Sequence, residues 1–349
     1  MAKVLLCGDL HMCRQSSIVT GMGEKFSRRL ENCVKTINWV EELAESERCD
    51  AVIYLGDFFD KPDLDEYTIT AAKTIKWRSV PKYIIVGNHD TMDKNIVCSS
   101  AAMLGAPEGD GEAARVIVNQ PCVKQFGDRS VVFLPYISES DRLSLSEYTK
   151  GDRNAIVLSH NDIAGINYGP VMSRLGFDMD EIREGCAMFV NGHLHNGEWL
   201  IKNKLRNIGN ITGQNFGEDA TRYLHQVMIL DTDTLGFEDF ENPHAYNFYK
   251  ISIDSESDIR KLDGIKPNAV LSVTCAEALV DQAKRKIAAD ERVAESRILT
   301  VRPTMTASEA ATADLSSLRV DHIGRFAECA RANIGNSAIL EEELGIICQ

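Results

Sequence analysis

The 349-residue sequence predicts an α/β layered fold. Short aliphatic or β-branched runs bounded by Gly, Asp or Asn alternate with segments of helical apolar spacing. Five of these runs lead directly into strings of Asp, Asn and His, as expected where sites form beyond the carboxyl ends of strands. Hydrophobic residues at 44% and charged residues at 26% give an ordinary globular balance, able to bury a large core.

Taken in order, Val4–Cys7, Ala51–Leu55, Tyr83–Val86, Val131–Leu134, Ala155–Leu158 and Met188–Val190 read as buried strands. Between the first two, Phe26, Leu30, Val34, Ile37, Val40 and Leu43 recur every three to four residues, which predicts a helix with one apolar face. A second helix is expected from Tyr67 to Ile75. After Met188 the texture changes. Trp199–Ile201, Leu205–Ile208 and Gln226–Leu230 predict antiparallel strands, and Asn242-Pro243-His244 predicts a break. A new unit then begins, with strands at Phe248–Ile253, Val270–Thr274 and Ile298–Arg302 and a helix near Val280–Ala289. The remainder is Ala-rich, with Val320, Ile323, Phe326, Ala327 and Ala330 on one helical face. The expected division is residues 1–245 as the catalytic domain, 246–305 as a small α/β domain and 306–349 as a helical tail.

A net charge of −14 argues against bulk attraction to polyanions, so any nucleic-acid contact needs a local patch, metals or a partner. The local candidates are Arg14, Lys25, Arg28 and Arg29 after the first string, and Lys284, Arg285 and Lys286 in the second unit. Three or four charges are few, and a solvated helix face is the simpler account of each cluster. Ten scattered cysteines without a C-x-x-C pair read as reduced thiols, which points to the cytoplasm. Neither a signal-peptide pattern nor the ~20-residue apolar stretch of a membrane helix is present.

The five strings are Asp9-Leu10-His11, Gly56-Asp57-Phe58-Phe59-Asp60, Gly87-Asn88-His89-Asp90, Ser159-His160-Asn161 and Gly192-His193-Leu194-His195. Five of the eight histidines fall inside them, whereas His225, His244 and His322 lack partners of ligand type. Carboxylate, amide and imidazole donors from several strand ends suit a pair of divalent cations, and such a pair about 3.5–4 Å apart serves phosphoryl displacement. A ligand shared between two cations must offer an oxygen to each, a job for Asp or Glu and not for His, and Asp57 at the end of the second strand is our choice for it. Asp9 and His11, two apart on an extended segment, point to one side and chelate one ion. Asn88 supplies a neutral oxygen, His193 and His195 serve one ion each, and His160 completes the set. His89 is set apart as a proton donor, since imidazole titrates near neutrality. Asp60 and Asp90 are expected to orient His89 or the ligands, with a helix N-cap as the other role open to Asp60.

At these strings the chain resembles the calcineurin-like metallophosphoesterase superfamily over roughly residues 3–235. The resemblance implies a two-sheet α/β sandwich with a dinuclear site. It places one ion among Asp9, His11, Asp57 and His195, and the other among Asp57, Asn88, His160 and His193. Within the superfamily, the chain is similar to SbcD-type double-strand-break repair nucleases, especially the compact recombination nucleases of tailed phages. Lys61 follows Gly56–Asp60 where Ser/Thr phosphatases carry Arg-Gly, and Asp90 stands where they carry Glu. Asn207-Ile208-Gly209-Asn210 and Asn215-Phe216-Gly217-Glu218 resemble the stretch leading to the nucleases' DNA-capping domain, which residues 248–302 match in length and element order. Ser159 departs from the Gly that many relatives have before the ligand histidine.

This likeness implies a Mn²⁺-dependent nuclease (Mg²⁺ or Fe²⁺ also suit the ligands), 3′→5′ on duplex ends and endonucleolytic on single strands. It further implies a homodimer working with an SbcC-like coiled-coil ABC-type ATPase, docked through Leu318–Ala330 or the region Ile339 to Ile347. If the chain is phage-encoded, its place is the host cytoplasm. Two other readings stay open: a phosphodiesterase for a small or protein substrate such as a cyclic nucleotide, and a structural subunit without turnover.

Overall fold

Each buried strand of the first sheet carries apolar side chains on both faces, and the computed structural model shows what covers each face. It describes residues 2–14, 19–92, 98–106, 113–168 and 171–301. The described fold belongs to a unit spanning Met1–Thr300. The tail segments Leu318–Ala330 and Ile339 to Ile347, with the docking role expected of them, lie outside the described residues.

The chain starts with β1 (Lys3–Cys7), crosses through α1 (Arg28–Ser46) to β2 (Ala51–Leu55), and through α2 (Glu66–Ala72) to β3 (Lys82–Ile85) and β4 (Arg115–Val118). These four strands are parallel neighbours. The second sheet follows: β5 (Cys122–Phe126), β6 (Arg129–Leu134), α3 (Leu145–Thr149) and β7 (Ile156–Ser159). A small ribbon of β8 (Asn167–Tyr168) and β9 (Val171–Met172) and the helix α4 (Met179–Gly185) precede β10 (Met188–Asn191), β11 (Glu198–Ile201) and β12 (Leu205–Asn207). The chain then returns to the first sheet with β13 (Gln226–Asp231) and β14 (Phe237–Glu241). The sheet orders are β14-β13-β1-β2-β3-β4 and β11-β12-β10-β7-β6-β5. Each sheet is mixed: β13 runs antiparallel to β1, and β11 antiparallel to β12.

Alternation along the strands divides the core into layers. Val4, Leu6, Ile53, Leu55 and Met228 of the first sheet meet Val131, Phe133, Ile156, Leu158 and Val190 of the second in one buried cluster between the sheets. Leu5, Cys7, Val52, Tyr54 and Ile84 face the other way, onto Leu30, Cys33, Ile37, Val40 and Ala44 of α1. The outer face of the second sheet packs Val132, Val157 and Phe189 against Leu145 of α3 and Ile182 of α4. The arrangement is the expected two-sheet α/β sandwich. At roughly 1.5–3 kcal/mol for each fully buried Leu, Ile or Val, these layers set the frame on which the strand ends are fixed.

Local signals place the helix ends. Ser27 caps α1 by accepting from Leu30 N at 3.2 Å, and Asp65 caps α2 by accepting from Thr68 N at 2.7 Å. The cap of α2 is therefore Asp65 and not Asp60, and the helix stops at Ala72 instead of continuing to Ile75. Strands β4 and β5 escaped the sequence reading because their burial is mixed, as for sheet-edge strands.

Beyond the break at Pro243, a third sheet joins β15 (Asn247–Ile253), β16 (Ala269–Ala276) and β17 (Val293–Val301), with α5 (Val280–Ala288) alongside. Its core includes Ile251, Ile253, Leu271 and Val273 with Ala283 and Ile287 of α5. Strand β17 begins five residues before the expected Ile298. Among the described residues, no helix is long and apolar enough to cross a membrane.

Candidate metal centre

The five strings meet where the carboxyl ends of both sheets converge. Strands β1, β2 and β3 deliver Asp9, His11, Asp57 and Asn88 from the first sheet. Strands β7 and β10 deliver His160, His193 and His195 from the second. Three groupings bring donor atoms within 4.8 Å of one another: Asp9, His11 and His195; Asp57, His160 and His193; and His11, Asp57 and His89.

Asp9 and His11 do come together, but not through extended backbone. Both adopt positive φ, at 48° and 45°, and so do Asp57 at 47° and His193 at 73°. A non-glycine residue in this region is strained and persists only where its surroundings fix it. The surroundings are identifiable: His11 N donates to Asp57 O at 2.9 Å, and His193 N donates to Asp9 Oδ1 at 2.9 Å. Two glycines let the strings close. A Cβ at Gly56 (φ +89°) would overlap the His160 ring, and one at Gly87 would overlap the Asp57 carboxylate.

Asp57 sits centrally. Its Oδ2 lies 3.1 Å from His160 Nε2 and 3.5 Å from His11 Nε2, and its Oδ1 accepts from His89 N at 2.8 Å. His160 Nδ1 donates across the sandwich to Leu55 O at 2.7 Å, which turns Nε2 toward Asp57 and Asn88 Oδ1, the latter at 3.0 Å. His193 Nδ1 is 2.9 Å from the same Asn88 oxygen.

Charge follows from this packing. Burial works against an ionised Asp57, but His160 beside it, then His11 and His89, hold its carboxyl well below the usual range. Burial likewise opposes a charged His160, yet Asp57 and Asp9 push it up to about 9. Burial dominates at His11, which is shifted down, and at Asp9, which is shifted up despite His160 and His195. Burial opposes charge on His195 as well, but its hydrogen bond to Glu218 and the Asp9 carboxylate together raise it.

The residues fit divalent cations. Asp9 and His11 are fully buried, yet Asp9 Oδ2 and His11 Nε2 have no hydrogen-bond partner among the described residues. A buried unmatched polar atom is costly, and both belong to one grouping of ligand type. The Asp–His–Asn donor set suits a divalent metal of intermediate hardness.

His89 is exposed at the mouth of the site. Its ring lies 4.7 Å from that of His11, and its Nδ1 donates to Asp60 O at 3.0 Å. Asp60 also accepts from His11 Nδ1 at 3.2 Å, so it orients both imidazoles, one by carboxylate and one by carbonyl. Asp90 acts on the backbone beside the ligand positions. Its two oxygens accept not from an imidazole but from Phe59 N at 3.0 Å and Gly87 N at 2.9 Å, tying the second string to the third. Burial and the nearby Asp57 charge raise it to about 7.

Sequence reading missed two carboxylates and a set of amides. Asp162 Oδ1 is 3.1 Å from His193 Nε2, and Glu218 Oε1 is 2.9 Å from His195 Nδ1. Asp162 stands one residue past the fourth string, a readable signal; Glu218 stands 23 residues from its histidine. Asn161 and Asn191 exchange backbone-to-side-chain bonds, while Asn210 receives Thr212 N and Gly213 N and holds Asp9 O.

The basic candidates separate. Arg29 is a correction: it is 1% exposed and donates to Leu10 O, His11 O, Gly213 O and Thr212 Oγ1, so it clamps the first string and cannot meet a phosphate. Arg28 pairs with Glu295 at 3.1 Å, and Lys286 with Asp263 at 2.6 Å. Lys25, Lys284 and Arg285 are exposed, and Arg14 lies over the Tyr67 ring at 4.2 Å, beside a groove lined by Asp60 and Lys61.

Among solved structures, the chain is similar to a novel archaeal phosphodiesterase (15% identity, 68% of this chain and 99% of that one, TM-score 0.35). It is also similar to the protein TT1561 of Thermus thermophilus (10%, 69% and 98%, TM-score 0.38). A third is the calcineurin-like phosphoesterase YfkN from Bacillus subtilis (11%, 69% and 88%, TM-score 0.36). No curated protein matches the sequence. The family model for calcineurin-like phosphoesterases matches residues 2–197, which contain all five strings. The chain belongs to the calcineurin-like phosphoesterase family and is a metal-dependent hydrolase acting on phosphoester bonds.

Proposed function

We infer that this hydrolase is a DNA nuclease, cutting phosphodiesters 3′→5′ at duplex ends and within single strands, with two Mn²⁺ ions as its cations. Asp9, His11, Asp57 and His195 would hold one ion, and Asp57, Asn88, His160 and His193 the other. The pair would supply charge stabilisation at the attacking and leaving oxygens of the phosphate.

The observation that carries the reading is the placement of His89. It is exposed beside buried ligands, so it can meet a substrate that approaches from solvent. A carbonyl oxygen only accepts, so the Asp60 contact fixes the hydrogen on Nδ1 and leaves Nε2 to gain or release a proton. His89 Nε2 then gives its proton to the leaving alkoxide, while Asp60 keeps the ring in place. An open mouth suits a polymer better than an enclosed pocket would. The strings from Phe58 to Lys61 and Asn215 to Glu218, and the third sheet that follows, favour the nuclease branch of the family. The acidic chain would borrow a basic DNA surface from a coiled-coil ATPase partner, and pair with a second copy of itself.

The test uses Mn²⁺ with labelled linear duplex DNA, single-stranded DNA and a generic aryl phosphodiester. DNA should be cut, and His89→Gln should lower kcat about 10²–10⁴-fold with metal content unchanged. Turnover of the aryl diester alone would make the chain a small-substrate phosphodiesterase, and inactivity on all three with metal bound would make it a structural subunit.

A further inference from the structure

The segment from Asn210 to Ala220 lies between a proposed metal ligand and the third sheet, and it touches both. On one side Glu218, 1% exposed, accepts from His195 Nδ1 at 2.9 Å. Its two oxygens are held in turn by Asn215 Nδ2 at 3.2 Å and Gln214 N at 2.8 Å, so the carboxylate has little freedom. On the other side Phe216 packs edge-on against Phe248 of β15, ring centroids 5.2 Å apart. Arg297 of β17 lies over the same Phe216 ring at 4.8 Å, Ala220 N donates to Phe248 O at 3.0 Å, and Tyr246 N donates to Thr212 O at 2.9 Å. Val19, Phe216, Tyr246, Phe248 and Val270 form one buried cluster at this junction.

We propose that Glu218 is a positioning residue that couples the third sheet to His195. An imidazole that binds a cation through one nitrogen is aimed by whatever holds its other nitrogen, and such partners are worth about 10–100-fold in metal affinity. Here that partner stands on a segment whose footing is the third sheet. Whatever displaces β15 from Phe216, a bound nucleic acid or a partner protein, therefore re-aims His195. By linkage, cation binding at Asp9, His11 and His195 must tighten the junction in return.

The coupling rests on the two-cation reading of the centre but not on DNA as substrate. Calorimetry with Mn²⁺ on the full chain tests it. Glu218→Ala should weaken one of the two binding events about 10–100-fold, and Glu218→Gln, which keeps an acceptor oxygen, should recover part of the loss. Phe216→Ala and Arg297→Gln, which touch no proposed ligand, should weaken the same event. Amide exchange of the wild-type chain gives a readout free of folding defects: Mn²⁺ should slow exchange at Asn247–Ile253. Unchanged affinity in Glu218→Ala, or wild-type exchange at β15 indifferent to Mn²⁺, overturns the coupling while leaving the metal centre intact. A wild-type chain that binds no Mn²⁺ overturns both.

Discussion

The two proposed halves of the metal centre are both built on Asp and His, one with Asn88 added, and are satisfied differently. In one, His160 reaches Asp57 at 3.1 Å and Asn88 at 3.0 Å, and His193 reaches Asn88 at 2.9 Å and Asp162 at 3.1 Å. In the other, Asp9 Oδ2 and His11 Nε2 find no hydrogen-bond partner among the described residues, although both residues are fully buried. An unmatched buried polar atom costs about 1–3 kcal/mol, so this half is held ready at the expense of the protein alone. The first half must break its own hydrogen bonds to take a cation; the second has none to break at these two atoms. Under the proposed ligand sets, need for the ion is therefore concentrated at Asp9 and His11, and internal order at Asp57 and His160.

Asp57 is the point where this contrast can be broken outright, because its Oδ2 faces His11 at 3.5 Å as well as His160. Asp57→Asn keeps the shape but removes the charge common to both halves. Phosphodiester hydrolysis should fall about 10⁴-fold, equivalent to roughly 5–6 kcal/mol of lost stabilisation. Metal analysis of the purified variant should show both ions weakened. Full retention of either ion would mean that the halves do not share this carboxylate.

Replacing one member of each half sharpens the comparison in the metal-free protein. His160→Gln leaves the Asp57 carboxylate without its cationic neighbour in a buried site and should cost about 3 kcal/mol in urea denaturation. Asp9→Asn removes a buried charge whose Oδ2 was unmatched, so its effect should stay within about 1 kcal/mol of wild type. Adding Mn²⁺ to about 100 times its Kd should stabilise the wild type by about 2.7 kcal/mol and Asp9→Asn by much less. Equal costs for the two substitutions without metal would erase the distinction.

Much of this was legible because strands announce where they end. Aliphatic runs stop at Gly or Asp, and ligands placed just past a strand end are found by the same pattern that finds the strand. The two-sheet frame was less legible from spacing, since β13 returns to pair with β1 across more than two hundred residues. Residues that aim the ligands hide for the same reason: Glu218 meets His195, and Asn210 meets Asp9, only through tertiary folding. Arg29 was misread as surface charge although it lies in helical register with Cys33, Ile37, Val40 and Ala44, on the buried side of α1. Its register was in the sequence, but a charge on an apolar face needs its acceptors, Leu10 O and Gly213 O, before it can be recognised as a clamp.

The finest test of the contrast is pH. Burial opposes charge on His160, but Asp57 and Asp9 together raise it to about 9 in the folded chain, above about 6.5 when unfolded. The contribution of its proton to stability is full below about pH 6.5 and is lost as pH rises through about 9. The metal-free chain should therefore lose stability over this window, and His160→Gln should flatten the slope. A cation needs the deprotonated imidazole, so affinity at the His160 half should rise about tenfold per pH unit toward about 9, one proton being released per ion bound. His11 is shifted down by burial and is already neutral there, so it adds no proton competition to its own half. Mn²⁺ calorimetry in buffers of different ionisation enthalpy would count the protons. Binding that releases none between about pH 7 and 8 would remove His160 from the ligand set, because a histidine that keeps its proton cannot hold a cation.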